Sequence, residues 1–230
     1  MAPHLETMTV STLQTLHSFD LWGVIVDQNI LGQKKIERYR ALSTQQQVPK
    51  ETIERVVREY RDLLDGAAYA VGSRKSEIID AIDAPAFANN LLPDYTTAFF
   101  SDAIIVMREI IEAGEKVMVF TSKPAEGLET QLSSCLGHRV DNIRFADKND
   151  SVAFLDLFTL QQRFGMRWIS HTADELPELI AAKNSNLFHP SALIYVNRNG
   201  SNSVNDVQNK GICRYTNDLR DIEYLSLSTL

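Results

Sequence analysis

From Pro93 onward the chain alternates between short apolar runs and stretches of helical periodicity, and this alternation is the tightest constraint on its fold. Apolar runs at residues 116–120, 140–145, 166–170 and 192–196 have strand length, and residues 101–113, 124–136, 151–164 and 174–183 between them have helical spacing. Ser101 suits a helix N-cap, while Gly114, Gly137 and Gly165 fall where helices stop. Strands joined through helices by short turns run parallel, and a parallel sheet is covered on both faces. The expected fold is therefore α/β, a doubly wound, Rossmann-like parallel sheet. One more strand, over residues 18–21, precedes the alternation. Residues 197–211, rich in Asn, Ser and Gly, read as a surface loop.

Residues 31–92 differ, being helical in pattern with no buried strand. The clearest element is 49–64, where Ile53, Val56, Val57, Tyr60, Leu63 and Leu64 form one packing stripe, with Pro49 at its start and Gly66 beyond its end. Residues 34–42 and 74–82 read as two further helices. The domain division expected is an α/β core of residues 1–28 plus 92–230 with a helical insertion of residues 29–91.

The net charge of −7 and pI near 5.3 argue against a nucleic-acid partner, which needs a basic footprint. They leave room for a small anionic substrate, since a site can be locally positive. Cys135 and Cys213 are too few and too unpatterned for a disulfide framework or a zinc site, and read as reduced thiols. Residues 1–18 lack the pattern of a signal peptide, and no run reaches membrane-spanning length, so a cytoplasmic protein with no membrane partner is expected. A homodimer stays open as its assembly.

Several residues fall where an α/β sheet keeps its chemistry. In Phe19-Asp20-Leu21-Trp22-Gly23-Val24-Ile25-Val26-Asp27 an apolar approach ends on Asp20, at the strand end that faces the ligand crevice of an open sheet. A carboxylate there can attack phosphorus or an activated carbon, or simply cap the turn. Thr121 and Ser122 follow the 116–120 run, where hydroxyls and free backbone N–H groups can hold an oxyanion or cap a helix. Lys148 lies in a polar turn, and Ser170-His171-Thr172-Ala173-Asp174-Glu175 follows the next apolar run. His4, His17, His138 and His189 have no partners at ligand or triad spacing and read as structural or surface.

Asp20, Thr121-Ser122, Lys148 and the acidic Asp174-Glu175 loop, in that order, resemble the haloacid dehalogenase (HAD) superfamily over residues 18–195. The resemblance implies Asp20 as nucleophile, Thr121 and Lys148 as further catalytic residues, Ser122 and Ser170 at the substrate, and residues 29–91 as the substrate-selecting cap. Lys148 would neutralise the nucleophile and the substrate, with Lys123 as its substitute. Mg²⁺ would be held by Asp20, the Trp22 carbonyl and Asp174, with Glu175 beside them, as a hard cation prefers oxygen ligands.

Two departures from the superfamily's phosphatases stand out. They carry Gly-Asp or Ser-Asp directly after the fourth strand, where this chain has Ser170-His171, and an acid two residues after the nucleophile, where it has Trp22. L-2-haloacid dehalogenases resemble the chain at both points, with an aromatic residue at the second position and a serine-rich loop replacing the metal acid. Against them stand Val24 for a Thr, Phe154 for a Tyr, and no anchoring arginine that stands out among Arg55, Arg58 and Arg61. Phe120-Thr121-Ser122 and Tyr195-Val196-Asn197-Arg198-Asn199-Gly200 also resemble enolase-phosphatases. The expected activity is hydrolysis of a small anionic metabolite, a phosphomonoester first, with metal-independent dehalogenation and a catalytically silent binding protein as the alternatives.

Overall fold

The computed structural model describes residues 13–44 and 94–229, except 123, 124, 126, 141, 199 and 201, together with Glu51, Glu54 and Arg58. Six strands make one sheet: β1 (Gln14–Asp20), β2 (Lys116–Thr121), β3 (Ile143–Phe145), β4 (Met166–Ala173), β5 (Leu193–Val196) and β6 (Arg214–Thr216). Their order is β3-β2-β1-β4-β5-β6, and every pairing is parallel. The chain winds outward from β1 to one edge, then returns to β4 and winds to the other. The order reverses between β1 and β4, so the crevice at their C-terminal ends is where such a sheet takes a ligand.

Among the described residues the helices resolved from end to end are α1 (Gln28–Thr44), α2 (Ser101–Glu112), α3 (Leu128–Leu136), α4 (Ser151–Arg163), α5 (Leu176–Asn184) and α6 (Val204–Asn209). Alternation along the strands divides the core in two. Phe19, Val117 and Val119 pack with Val106, Ile110 and Leu132 of α2 and α3. Leu16, Met118, Phe120 and Trp168 pack with Phe154 of α4 and Leu179 of α5. The doubly wound parallel sheet expected from the alternation is the fold observed.

Boundaries move where buried polar residues disguise a strand. β1 begins at Gln14 and ends on Asp20, because His17 and Ser18 are buried and bonded to β4. β4 runs on through Ala173, since Ser170, His171 and Thr172 are all buried with side-chain partners. The 140–145 run shortens to the three residues of β3. The expected surface loop at 197–211 holds α6, closed by a capping box in which Ser203 and Asp206 satisfy each other's backbone N–H groups. Just beyond it, Arg214–Thr216 forms the unexpected edge strand β6.

α1 contains the expected 34–42 helix and starts earlier, because Asp27 Oδ1 accepts from Asn29 N at 2.8 Å and Ile30 N at 3.1 Å. Its Leu31 is buried in the core cluster. The expected 74–82 helix lies outside the described residues, as does 49–64 except for Glu51, Glu54 and Arg58, which are helical. No described helix is long and apolar enough to cross a membrane.

One buried ion pair ties three segments to this frame. Asp102, in the first turn of α2, lies 2.8 Å from Arg198 Nη2 and accepts from Leu219 N at 2.8 Å. Arg198 is 10% exposed, stacks over the Phe100 ring and bonds Asn217 O. Removing one partner of a buried pair strands the other charge. Asp102→Ala is expected to lower unfolding free energy by about 3–5 kcal/mol in urea denaturation; a loss under about 1 kcal/mol, the scale of an exposed pair, would contradict this.

Candidate active site

Asp20 is the last residue of β1 and is 1% exposed. The chain leaves it in a tight loop: Leu21 N bonds Phe120 O, Val26 N bonds Leu21 O, and Gly23 N bonds Val26 O. Leu21, Val24, Ile25 and Val26 are buried beneath this loop, so their apolar run anchors it. Trp22 N donates to Asp20 Oδ1 at 3.3 Å, and the Trp22 carbonyl takes no part in the bonds that close the loop.

Lys148 reaches Asp20 from the turn before α4. Asn149 N bonds Asp147 Oδ1, and Asp150 caps α4 through Val152 N, which fixes that turn. Lys148 Nζ lies 2.5 Å from Asp20 Oδ2 and 2.7 Å from Glu178 Oε2. Glu178 is fully buried near the start of α5. Its Oε1 is 2.9 Å from His171 Nε2, His171 Nδ1 is 2.8 Å from Ser18 Oγ, and Trp168 Nε1 donates to Ser18 Oγ at 2.7 Å. With Glu178 ionised the imidazole proton belongs on Nε2, leaving Nδ1 to accept from Ser18. A continuous polar chain thus runs from Trp168 inside the sheet to the Asp20 carboxylate at its edge.

Charge in this pocket is out of balance. Burial pulls the Lys148 ammonium down, but Asp20 and Glu178 outweigh it and hold it above its ordinary value. Burial, then the Glu178 charge, pushes Asp20 well above the carboxylate range. Burial pushes Glu178 up to about 7, against the pull of Lys148. Burial brings His171 down to about 3, so it is neutral. Asp174 rises to about 8 through burial first and the Asp20 charge second. Two buried carboxyl groups, Asp20 and Glu178, therefore share one ammonium, with the half-buried Asp174 beside them.

Asp174 directly follows β4, so the acid stands at the strand end after all. Sequence reading put the end of the strand at Ser170 because buried polar residues there look like a loop. The Asp174 carboxylate lies over Gly23, where an added Cβ would sit 1.9 Å from Asp174 Oδ2. Thr121 ends β2, one residue past the position level with Asp20, and is buried; Ser122 follows it and is exposed. Ser170 is not brought to this edge: it lies level with His17, and the two side chains bond at 2.7 Å within the sheet. Glu175 sits at the N-cap of α5 beside Asp174, and Lys123 lies outside the described residues. His17 is buried against Glu115 and Ser170, while His138 and His189 are exposed, and His4 lies outside the described residues. The sequence reading missed Glu178. Its signal was a carboxylate one helical turn beyond Asp174, among the apolar residues Leu179, Ala181 and Ala182.

No protein-family model and no curated protein matches the chain. Solved structures do. A predicted phosphatase from Clostridium acetobutylicum superposes at TM-score 0.56 with 16% identity, over 94% of this chain and 99% of that one. A HAD family hydrolase from Deinococcus radiodurans R1, with bound phosphate and sodium, superposes at TM-score 0.51 with 14% identity, over 95% and 96% of the two chains. A hydrolase from Pseudomonas syringae gives TM-score 0.52 at 16% identity, over 90% and 95%. The chain has the haloacid dehalogenase-like fold. Asp20, Thr121, Lys148 and Asp174 stand at the C-terminal ends of, or just after, β1, β2, β3 and β4 of that fold.

Asp20 at the end of β1 and Asp174 just after β4 offer carboxylate oxygens, the donor type a hard divalent cation takes. The Asp20 charge raises the pKa of Asp174, and burial raises that of both. No group of three or more His, Cys, Asp or Glu among the described residues forms a complete side-chain cage. Mg²⁺ keeps several waters and needs only one or two carboxylates, which Asp20 and Asp174 would supply.

Gly23 tests the loop. Its φ is +77°, and Gly114 shares a positive φ of +86° but has nothing within 4 Å of an added Cβ. Gly114→Ala is expected to cost about 1–2 kcal/mol from backbone strain alone. Gly23→Ala should cost clearly more in the same denaturation experiment, because it must also displace Asp174. Equal losses would contradict the close packing of Asp174 on the loop.

Proposed function

We propose that the chain is a hydrolase that cleaves a small phosphate ester through a covalent intermediate on Asp20. The observation that carries this reading is the buried Lys148 ammonium, 2.5 Å from Asp20 Oδ2 and 2.7 Å from Glu178 Oε2, at the sheet's switch point. A carboxylate held there is aimed and dry, with Oδ2 on the Lys148 ammonium and Oδ1 3.3 Å from Trp22 N.

In the first step an Asp20 oxygen bonds phosphorus as the bond to the leaving oxygen breaks. In the second, water bonds phosphorus and the Asp20–phosphorus bond breaks, restoring the carboxylate. Lys148 fixes the Asp20 carboxylate and offsets charge on the incoming phosphate, and Thr121 at the end of β2 stands beside it to bind a phosphoryl oxygen. Glu178, held by His171, keeps the Lys148 ammonium aimed at Asp20. Asp20, Asp174 and the Trp22 carbonyl would hold Mg²⁺, which when bound supplies positive charge for the phosphoryl oxygens.

Metal-independent dehalogenation drew on an aromatic Trp22 and on a serine-rich loop in place of the metal acid. Only the first survives: Ser170 and His171 lie within β4, and Asp174 follows it. Turnover of 4-nitrophenyl phosphate and a panel of small phosphomonoesters, with Mg²⁺ and with EDTA, tests the proposal. The expected result is phosphate release that EDTA abolishes and that Asp20→Asn lowers by at least about 10³-fold. Halide release from 2-haloacids that is indifferent to EDTA would overturn it, as would silence towards both panels, which marks a binding protein.

A further inference from the structure

We infer that Ser18 and His171 are positioning residues for this site: with Glu178 they close a ring of contacts that starts and ends on β1 and sets the Lys148 ammonium against Asp20. The inference rests on the phosphoryl-transfer reading above. Ser18 and Asp20 stand two residues apart on β1, so their side chains share one face of the sheet. Ser18 is level with His171 on β4, and its Oγ lies 2.8 Å from His171 Nδ1. His171 Nε2 lies 2.9 Å from Glu178 Oε1, and Glu178 Oε2 lies 2.7 Å from Lys148 Nζ. Lys148 Nζ is 2.5 Å from Asp20 Oδ2, which returns the ring to its starting strand.

Trp168 gives the ring its direction. An indole N–H only donates, and this one donates to Ser18 Oγ at 2.7 Å and to Ser170 O at 3.0 Å. Ser18 accepts there and keeps its own proton to give. Its nearer acceptor is His171 Nδ1 at 2.8 Å; Ser170 O, at 3.1 Å, is already served by Trp168. An imidazole that accepts at Nδ1 donates at Nε2, and the Glu178 carboxylate receives that proton. The other oxygen of Glu178 is then turned to the ammonium.

Packing alone does not call for a histidine at this place. The ring stands edge-on to Phe120, Phe154 and Trp168, with centroids 5.7, 5.2 and 6.2 Å away. A phenylalanine would fill the same aromatic pocket without burying two ring nitrogens. Both nitrogens are spent on linking β1 to α5. Lys148 needs that link more than Asp20 does, because Asp20 is fixed by its strand whereas Lys148 carries its charge on a flexible four-carbon stem. Ser18, His171 and Glu178 have no exposure, so the bonds of the ring form at low local dielectric, where they hold geometry best.

The test is kcat and KM of the full chain with Mg²⁺ on 4-nitrophenyl phosphate. The proteins compared are the native chain, His171→Phe, His171→Gln, Ser18→Ala, Glu178→Gln and the double variants of His171→Phe and of Ser18→Ala with Glu178→Gln, each checked for folding by circular dichroism. His171→Phe should lower kcat by about 10–10²-fold, with the smaller change in KM, because misplaced reacting groups cost most at the attack. His171→Gln, whose amide N–H can stand in for that of Nε2, should recover most of the loss. Since His171 acts through Glu178, its double variant should be no slower than the slower single one. A folded His171→Phe protein with native kcat, or losses that multiply in the double variant, overturns this inference and leaves the phosphatase reading standing. A loss that His171→Gln shares in full does the same, as the mark of a histidine that only supports the fold. If His171→Phe does not fold, Ser18→Ala decides. A loss that disappears in the Glu178→Gln background supports the ring, and native kcat or a loss that persists there overturns it. No phosphate release from the folded native protein overturns the phosphoryl-transfer reading and this inference with it.

Discussion

A single ammonium, Lys148, sits between two buried carboxylates from distant parts of the chain, and much of the structure serves to bring them there. Isolated buried charges cost several kcal/mol each, so Asp20, Glu178 and Lys148 are tolerable only together. β1 delivers Asp20 at its last residue, the capped turn before α4 delivers Lys148, and α5 delivers Glu178. His171 bonds the other oxygen of Glu178, and Ser18 and Trp168 carry that constraint into the sheet. This polar chain lies on the same face as Phe120 and Phe154, whose rings pack edge-on against His171. The apolar packing and the site's geometry are therefore one problem with one solution.

The charge that remains explains why the site reads as chemical. Lys148 lies between Asp20 and Glu178, and Asp174 adds a third carboxyl group near Asp20 at the crevice between β1 and β4. A structural ion pair needs no surplus. The proposed phosphoryl transfer would use the extra acid, first for a cation and then for an anionic substrate. The loop after Asp20 enforces the approach of the two acids, because Gly23 leaves room for Asp174 that any side chain would fill.

Most of the fold was legible because α/β alternation depends on local periodicity, which β2, α2, α4 and β5 show cleanly. Where reading failed, buried polar residues were the cause. His17, Ser18, Ser170 and His171 break the apolar pattern of β1 and β4, yet each is buried and bonded to a partner distant in sequence. That error carried into the site: ending β4 at Ser170 made Asp174 look displaced and hid Glu178, one turn further on. α6 was hidden for a different reason, its six residues being stabilised by a capping box more than by an apolar stripe. Asp20 and Lys148 were legible because order along the chain, with one at the end of a strand and the other just past one, is enough to place them at one sheet edge.

The central claim is that Asp20 carries the phosphoryl group. Acid quenching of a single turnover with a phosphate substrate, followed by peptide mass spectrometry, measures this directly. The account predicts a mass increase of one phosphoryl group on the peptide containing Asp20, absent from the Asp20→Asn protein. Turnover with every peptide unmodified, in a burst experiment that shows no covalent intermediate, would contradict it.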